Sequence, residues 1–266
     1  MIRALLLLLL TALPASAERL RLAVTTSFDS SGLADILLPR IAEDTGIDIE
    51  LLVVGTGQAL RLGAAGDVDA VLVHSRAAEE AFVAQGLATH RREIMVNDFI
   101  LIGPAPDPAA IATAPDAATA LTRIAQTEAP FVSRGDDSGT HKAEQRLWDA
   151  AGRAPEGAWY RQTGSGMGAA LNTAVAMGAY ILSDRATWLN FGNRGDMALL
   201  FQGDPALLNQ YSYLPINPAR HAHVAHDAAL QVEDWLVSPE GQALIDSYAI
   251  AGEPLFTANA TARPSQ

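Results

Sequence analysis

The sequence predicts an α/β protein of two lobes, each built on a mostly parallel sheet flanked by helices. Predicted strands alternate with predicted helices in the first part of the chain. The apolar run from Ile94 to Ile102 is interrupted at its centre by Asn97-Asp98, as expected where a chain crosses between lobes. With 266 residues, 49% of them hydrophobic, the chain can form two modest cores.

The first seventeen residues have the pattern of a cleavable signal peptide. Arg3 precedes the apolar run Ala4 to Leu10, and Ala15-Ser16-Ala17 provides small residues for cleavage before Glu18. A membrane anchor would need a longer apolar span. No cysteine follows the cleavage site to carry a lipid. We therefore expect residues 1–17 to be removed and the mature protein to be free in the periplasm.

Composition excludes several classes of function. The formal net charge of −12 argues against a nucleic-acid partner. The absence of cysteine excludes disulfides, thiolate catalysis and cysteine-ligated metals. The sequence indicates no cofactor and no resident metal ion.

The predicted first lobe contains three strand-loop-helix units. Leu20–Val24 leads into Thr25-Thr26-Ser27, a run of hydroxyl residues before a helical pattern, although Ser30 or Ser31 could cap that helix alone. Ile47–Val54 leads into Gly55-Thr56-Gly57, and Asp69–Val73 ends at His74. Because the carboxyl ends of parallel strands share one edge of a sheet, these loops are expected to lie together.

The second lobe begins after the crossing strand. A helix is predicted from Ala117 to Gln126, and Tyr211–Ile216 returns the chain to the first lobe. We expect residues 18–98 and 212–266 to form lobe I and residues 99–211 to form lobe II. The tail from Asn259 to Gln266 is expected to fray.

The segment Phe131 to Lys142 is the most informative part of the second lobe. It places Arg134, hydroxyl side chains and glycines between a predicted strand and a predicted helix, which is the arrangement of an anion cradle. The spacing of a nucleotide-binding P-loop is absent. A second loop, Thr163 to Gly168, combines glycine and hydroxyl residues before another helix, although no clear strand precedes it.

Four loops of this form, two in each predicted lobe, indicate a cleft for a small oxyanion. A tetrahedral dianion offers acceptor oxygens alone, so its site must be rich in donors. Arg134 can supply charge-assisted hydrogen bonds, and its planar guanidinium has the geometry to bond two oxygens at once.

The histidines and a group of hydrolase-type residues offer alternatives to this interpretation. His74 can face the cleft or support it from behind, and His221, His223 and His226 are expected to be surface residues rather than metal ligands. Ser138, His141 and Asp136 are the residue types of a hydrolase, but they lie too close together in the chain for a triad. An organic solute has little support because the anion loops lack aromatic residues.

The sequence resembles the tungstate-binding periplasmic proteins of ABC transporters over nearly the whole mature chain. The resemblance is carried by the segments Thr25-Thr26-Ser27, Val54 to Leu60, Leu72-Val73-His74, Asn97-Asp98-Phe99, Ser133 to Lys142, Thr163 to Gly168, Gly203-Asp204-Pro205, Asn209 to Ser212 and Ser238 to Gly241. It implies a two-lobed class II binding-protein fold that closes on an oxyanion and delivers it, as a monomer, to the permease subunit of an importer. By motif, the implied ligand-binding residues are Thr25, Thr26, Ser27, Thr56, Arg134, Thr140, Ser165 and Gly166.

The choice among anions is only partly open to physical argument. Phosphate keeps a proton near neutral pH and profits from a carboxylate acceptor, whereas tungstate, molybdate and sulfate would be repelled by one. We therefore expect Asp136 and Asp137 to point away from the ligand, orienting Arg134 or capping the helix. Tungstate is preferred over molybdate on the resemblance alone.

Overall fold

The computed structural model describes residues 18–136 and 138–261. The predicted signal peptide, Asp137 and the last five residues lie outside this part of the chain. Its strands, numbered in chain order, are β1 (Glu18–Thr25), β2 (Ile47–Val54), β3 (Ala70–Val73), β4 (Arg92–Pro104), β5 (Phe131–Ser133), β6 (Tyr160–Gln162), β7 (Tyr180–Asp184), β8 (Met197–Phe201), β9 (Leu208–Pro215), β10 (Ala249–Ile250), β11 (Glu253–Pro254) and β12 (Thr257–Ala258).

The helices flank these strands. They are α1 (Thr26–Ser31), α2 (Ala34–Thr45), α3 (Thr56–Ala65), α4 (Arg76–Ala84), α5 (Ala117–Thr127), α6 (Gly139–Ala150), α7 (Met167–Met177), α8 (Arg185–Asn190), α9 (His226–Leu236) and α10 (Pro239–Ser247). In the described part of the chain, no helix combines the length and the apolar character needed to cross a membrane.

The main sheet is mixed. Its strand order is β2-β1-β3-β9-β4-β7-β5-β6, and β8 and β12 also pair with β4. The pairings of β1 with β2 and β3, and of β5 with β6 and β7, are parallel. Strands β4 and β9 lie between the two parallel parts of the sheet and run in opposite directions. Their pairings with each other and with β3, β7 and β8 are antiparallel. The predicted α/β fold is confirmed, with parallel strands on both sides of an antiparallel centre.

Strand β4 joins the two halves of the molecule. Its residues Arg92 to Asp98 pair with β9, whereas Phe99 to Ile102 pair with β7. The polar residues at this point have partners: Asn97 accepts a hydrogen bond of 2.8 Å from Asn209, and Asp98 forms an ion pair with Arg185 at 2.6 Å. A polar interruption is tolerated here because each polar group is satisfied.

Each half has its own apolar packing. In the half that contains β1, β2, β3 and β9, one cluster includes Leu22, Leu37 and Trp235, and another on the opposite face includes Val71 and Phe82. The half that contains β5, β6, β7 and β8 is likewise covered on both faces. Two helix layers therefore hold each part of the sheet rigid beneath its loops.

Three local predictions are corrected. The helix for which Ser30 or Ser31 was the alternative cap is α2, whose N-cap is Leu33 and which has no side-chain cap; a separate short helix, α1, precedes it and is capped by Thr25. Helices α3 and α6 start about one turn earlier, at Thr56 and Gly139, than the helical patterns from Ala59 and about Lys142 indicate. A strand, β6, does precede the Thr163 to Gly168 loop.

The tail is also held more firmly than expected in its first residues. The Asn259 side chain donates a hydrogen bond of 2.6 Å to Gln210 Oε1, and the backbone of Ala260 donates one of 2.9 Å to Gln242. Arg92 bonds the carbonyl of Thr261. The prediction of fraying was therefore wrong for residues 259–261, because a side chain of β9 bonds the Asn259 side chain and side chains of α10 and β4 bond the backbone of Ala260 and Thr261.

Candidate functional site

Three loops of the first half meet at one edge of its sheet. Parallel pairing places the carboxyl ends of β1 and β3 side by side, so Thr25 and His74 lie on the same edge as Thr56, the first residue of α3. Thr25 Oγ1 accepts a hydrogen bond of 3.3 Å from the Phe28 backbone and so caps α1. Two helix N-termini consequently open at this edge, with Thr26 half-buried in the first turn of α1.

The second half contributes Arg134 and the start of α6. Arg134 is only 3% exposed. Its Nη2 donates to Asp136 Oδ2 at 2.6 Å, and its Nε donates to the Ser165 carbonyl at 3.3 Å. Backbone and side chain of two loops thus hold one guanidinium in place.

The Asp136 carboxylate is fully engaged with its own loop. Its Oδ1 accepts from the Ser138 hydroxyl at 2.5 Å and from the Ser138 backbone at 3.2 Å. Ser138 in turn caps α6 by accepting from the His141 backbone at 3.1 Å. Asp136 therefore orients Arg134 and closes the turn before α6, as the sequence predicts for this residue.

The same contacts decide against a nucleophile system. Ser138 Oγ has Asp136 and the His141 backbone as its partners, while His141 Nδ1 contacts the Asp136 carbonyl oxygen. His141 Nδ1 therefore contacts a backbone carbonyl and does not accept the Ser138 hydroxyl proton. Activation of a serine nucleophile by a general base would require the histidine to accept that proton.

The two halves touch where His74 meets Gly139. A Cβ atom on Gly139 would lie only 2.3 Å from Cε1 of the His74 ring. The ring also lies 4.8 Å from that of Tyr211 and 6.2 Å from that of Phe99, measured between centroids. Loops from both halves therefore enclose one buried polar region.

Two hydroxyl groups in this region lack partners. Thr56 and Thr140 are 0% and 1% exposed, and neither Oγ1 atom forms a hydrogen bond with any described residue. Since a buried hydroxyl without a partner is costly, such groups are usually retained for a ligand. One comes from each half, at the N-terminus of α3 and in the first turn of α6.

A cluster of hydroxyls surrounds Ser27. Its Oγ lies 3.0 Å from Thr25 Oγ1, 3.1 Å from His74 Nε2 and 3.2 Å from the Tyr211 hydroxyl. Burial lowers the pKa of His74 to about 4; the neighbouring Asn209 side chain opposes this shift, and the Arg134 charge adds to it. The imidazole is therefore neutral near pH 7.

The Ser165-Gly166 loop contributes mainly backbone. The Ser165 hydroxyl donates to Thr163 at 2.9 Å, and its carbonyl accepts from Arg134. Gly166 is the N-cap of α7 and supplies no side-chain cap to that helix. The first N–H groups of α7 are therefore available to an external acceptor.

The residues expected from the sequence are thus distributed around this region, and Tyr211, which was not predicted, joins them. His74 supports Ser27 from behind, one of the two positions expected for it. The buried carboxylate of Asp184 accepts a hydrogen bond of 2.7 Å from the Thr187 hydroxyl and caps α8.

The remaining histidine candidates bond to backbone. His221 and His223 contact the carbonyl oxygens of Ala64 and Gly66, each at 2.9 Å, and His226 contacts that of Ile216 at 3.0 Å. The described residues include no group of His, Asp and Glu that could hold a metal ion. These rings fasten the loop before α9 to its neighbours.

Comparison with known proteins identifies the family of the chain. Residues 12–240 match the model of a PBP superfamily domain. The chain therefore belongs to the periplasmic-binding-protein superfamily. Within it, the chain is 45% identical over 243 residues to the tungstate-binding protein TupA of Peptoclostridium acidaminophilum, covering 90% of this chain and 85% of that one. It belongs to that family of tungstate-binding proteins.

Two solved structures support the same assignment. The structure of the tungstate ABC transporter from Geobacter sulfurreducens superposes with a TM-score of 0.82 at 44% identity, covering 88% of this chain and all (100%) of that chain. The tungstate-binding protein TupA of Desulfovibrio alaskensis G20 superposes with a TM-score of 0.81 at 45% identity, covering 92% of this chain and 100% of that chain. The α/β binding-protein fold expected from the sequence is that of these relatives.

Proposed function

We propose that this protein binds tungstate in the periplasm and delivers it to an ABC importer. The observation that carries the proposal is the pair of buried, unpartnered hydroxyls, Thr56 and Thr140, on opposite sides of the region that contains Arg134. Donors on both halves, together with one cation, match a small anion with acceptor oxygens on all sides. The names of the related proteins indicate that the central atom of that anion is tungsten.

The ligand set that we propose comprises Thr25, Thr26, Ser27, Thr56, Arg134, Thr140, Ser165 and Gly166. Hydroxyls and helix N-termini supply neutral donors, and Arg134 supplies the charge. The Asp136 carboxylate is occupied by Arg134 and Ser138. This occupation favours fully deprotonated anions, because hydrogen phosphate needs an acceptor for its own proton.

Molybdate is the second candidate ligand, because its charge and shape match those of tungstate. Sulfate and phosphate are weaker alternatives, the first for its smaller size and the second for its proton. The class of the relatives, solute-binding proteins, also argues against the periplasmic hydrolase considered from the sequence.

We also propose that the halves act as lobes that close on the anion. Lobe I comprises residues 18–98 and 212–266, and lobe II residues 99–211. Hinges near Asn97-Asp98 and near Tyr211 to Tyr213 would lie on β4 and β9, the strands that run through the centre of the sheet.

The remaining parts of the proposal concern location and partners. Residues 1–17 act as a signal peptide, the mature protein is a monomer in the periplasm, and its partner is the permease subunit of the importer. The relatives' names, which include an ABC transporter for tungstate, support the transport role.

Parallel calorimetric titrations of the mature protein, residues 18–266, with tungstate, molybdate, sulfate and phosphate test the function. We expect tight one-to-one binding of tungstate, molybdate equal or weaker, and at least about a hundredfold weaker binding of phosphate, which corresponds to one poorly satisfied charged group. Tighter binding of phosphate, or no binding of any of the four, would overturn the proposal.

A further inference from the structure

His74 lies against the proposed oxyanion site without belonging to the proposed ligand set. Its Nε2 is 3.1 Å from Ser27 Oγ, and the residue is 7% exposed. Its other nitrogen, Nδ1, is buried and forms no hydrogen bond with any described residue. The two nitrogens therefore have different surroundings, and the choice of tautomer has consequences for Ser27.

The hydrogen bonds around Ser27 Oγ can be counted. The hydroxyl has one proton and can accept two hydrogen bonds. Its neighbours are His74 Nε2, the Tyr211 hydroxyl and Thr25 Oγ1. If Nε2 carries the imidazole proton, His74 and Tyr211 both donate to Ser27, and the Ser27 proton is left for Thr25 or for a bound anion.

The other tautomer has the opposite effect. A bare Nε2 would take the Ser27 proton, and Ser27 would then present a lone pair to the anion. That tautomer would also place an N–H at Nδ1, which forms no hydrogen bond with any described residue, although the Asn209 side chain beside the ring favours its protonated form. Buried N–H groups without a partner are rarer than unused acceptors.

The surroundings of Nδ1 support an unprotonated nitrogen. A Cβ atom on Gly139 would be 2.3 Å from Cε1, 2.5 Å from Nδ1 and 2.9 Å from Nε2, so that glycine packs on the Cε1 side of the ring. Like the other described residues, it forms no hydrogen bond with Nδ1. Thr25 can also act as a donor, because its Oγ1 already accepts a hydrogen bond from the Phe28 backbone and its own hydroxyl proton remains available.

We propose that His74 is a positioning residue: as the Nε2–H tautomer it donates to Ser27 Oγ and so directs the Ser27 proton to the bound oxyanion. This wall of the site then offers donors alone and discriminates against anions that carry a proton of their own. The inference rests on the proposed function and assigns part of its specificity to a residue that does not touch the anion.

The tautomer can be observed directly. In ¹⁵N-histidine-labelled mature protein, long-range ¹H–¹⁵N correlation spectra distinguish Nδ1–H from Nε2–H, and the His74 signals, one of six sets, are assigned by their loss in His74→Gln. We expect Nε2–H at pH 7 with and without tungstate. An Nδ1–H tautomer, or protonation of both nitrogens, in the unmodified protein would overturn the inference.

Two substitutions separate the donor from the shape of the ring. Gln can keep an N–H near the position of Nε2, whereas Phe fills the space without a donor. We expect His74→Gln to bind tungstate within about threefold of the unmodified protein and His74→Phe to lose about tenfold or more, the range for one hydrogen bond that acts on a charged ligand. Equal losses in the two variants would contradict the inference.

Selectivity provides the final readout. The affinity ratio of tungstate to phosphate should fall about tenfold in His74→Phe, because the Ser27 hydroxyl can then turn to accept the phosphate proton. An unchanged ratio would refute the specificity role. His221→Ala, which alters a ring bonded to the Ala64 carbonyl, is the control and should leave both affinities unchanged. If the unmodified protein binds none of the anions, the proposed function fails; if it binds tungstate with the wrong tautomer, only this inference fails.

Discussion

The Arg134 guanidinium is held 2.6 Å from the Asp136 carboxylate, an ion pair between residues only two positions apart in the chain. The pair is asymmetric in exposure, since the side chain of Arg134 is 4% exposed and that of Asp136 is 25% exposed. The cation therefore points into the protein and the carboxylate lies nearer to solvent. This geometry lets one loop carry an acidic residue and still bind an anion.

Arg134→Ala should reduce tungstate affinity by about 3 kcal/mol or more, since the dianion loses its charged donor in a buried site. Calorimetry measures the change. Arg134→Lys retains the charge without the planar fork and should recover only part of the affinity. An unchanged dissociation constant in Arg134→Ala would contradict the central role of the guanidinium.

Asp136→Asn should weaken tungstate binding less than Arg134→Ala, by about tenfold, because it releases the guanidinium and leaves it in place. Asp116, which caps α5 through a hydrogen bond of 2.7 Å to Thr119, provides a matched control: Asp116→Asn should not change the affinity. Tighter binding by Asp136→Asn would show that the carboxylate opposes the anion more than it orients Arg134.

The sequence alone identifies Arg134 as a candidate site residue, whereas it does not identify Tyr211. The Ser133 to Lys142 segment is local: its glycines, hydroxyls and cation lie in one loop, and so their joint role can be read from spacing. Ser27 lies 47 positions from His74 and 184 from Tyr211. Nothing in the local pattern connects them, because only the pairing of β9 with β3 and β4 brings the tyrosine to the site.

The same distinction applies to the fold. Alternation of strand and helix predicted the parallel parts of the sheet, and the polar interruption at Asn97-Asp98 predicted the crossing strand. The separate helix α1 was not predicted, because it has only six residues and the segment from Thr25 to Ser31 offers several hydroxyls of similar cap propensity. Local bonds decide among them: the Ser31 hydroxyl donates to the Phe28 carbonyl at 2.6 Å, and Thr25 Oγ1 accepts from the Phe28 backbone and so begins the helix.

Thr56→Val and Thr140→Val should each weaken tungstate binding by about tenfold while leaving the stability of the ligand-free protein unchanged or slightly raised. Both hydroxyls are buried without a partner among the described residues, so a methyl group of similar size removes a desolvation cost in the free protein and a donor in the complex. Calorimetry and urea unfolding measure the two effects.

Thr45→Val provides the opposite case. The Thr45 hydroxyl donates to the Ile41 carbonyl at 2.6 Å and accepts from the Ile47 backbone at 3.1 Å. This variant should lose about 1 kcal/mol of stability and bind tungstate normally. A stability loss of that size in Thr56→Val or Thr140→Val would mean that those hydroxyls have structural partners instead of a ligand.

The low pKa of His74 predicts how stability depends on pH. The folded protein keeps this imidazole neutral down to about pH 4, whereas the unfolded chain takes up a proton near pH 6.5. Since the unfolded state binds more protons between these values, His74 lowers the free energy of unfolding as the pH falls from about 6.5 to about 4. The loss is complete below the lower value.

Urea unfolding of the unmodified protein and of His74→Gln at several pH values isolates this contribution. The difference in unfolding free energy between the two proteins should change between pH 6.5 and 4 and stay constant from pH 7 to 8. A constant difference across the whole range would show that His74 is protonated in the folded state as readily as in the unfolded chain.

Gly139→Ala should weaken tungstate binding strongly while leaving the fold intact. A Cβ at this position would be 2.3 Å from His74 Cε1, and the ring cannot move aside easily because it is bonded to Ser27 and packs on Tyr211. If the two halves separate in the open state, the clash exists only when they are closed, so the substitution opposes closure and not folding.

Gly168→Ala is the matched control, since Gly168 also lies in the first turn of a helix and a Cβ there meets nothing within 4 Å. Calorimetry should show a loss of affinity of at least about tenfold, or about 1.4 kcal/mol, in Gly139→Ala. Gly168→Ala should show no loss. Small-angle scattering with saturating tungstate should show a smaller radius of gyration for the control than for Gly139→Ala; equal compaction and equal affinity in the two variants would mean that His74 and Gly139 do not meet on closure.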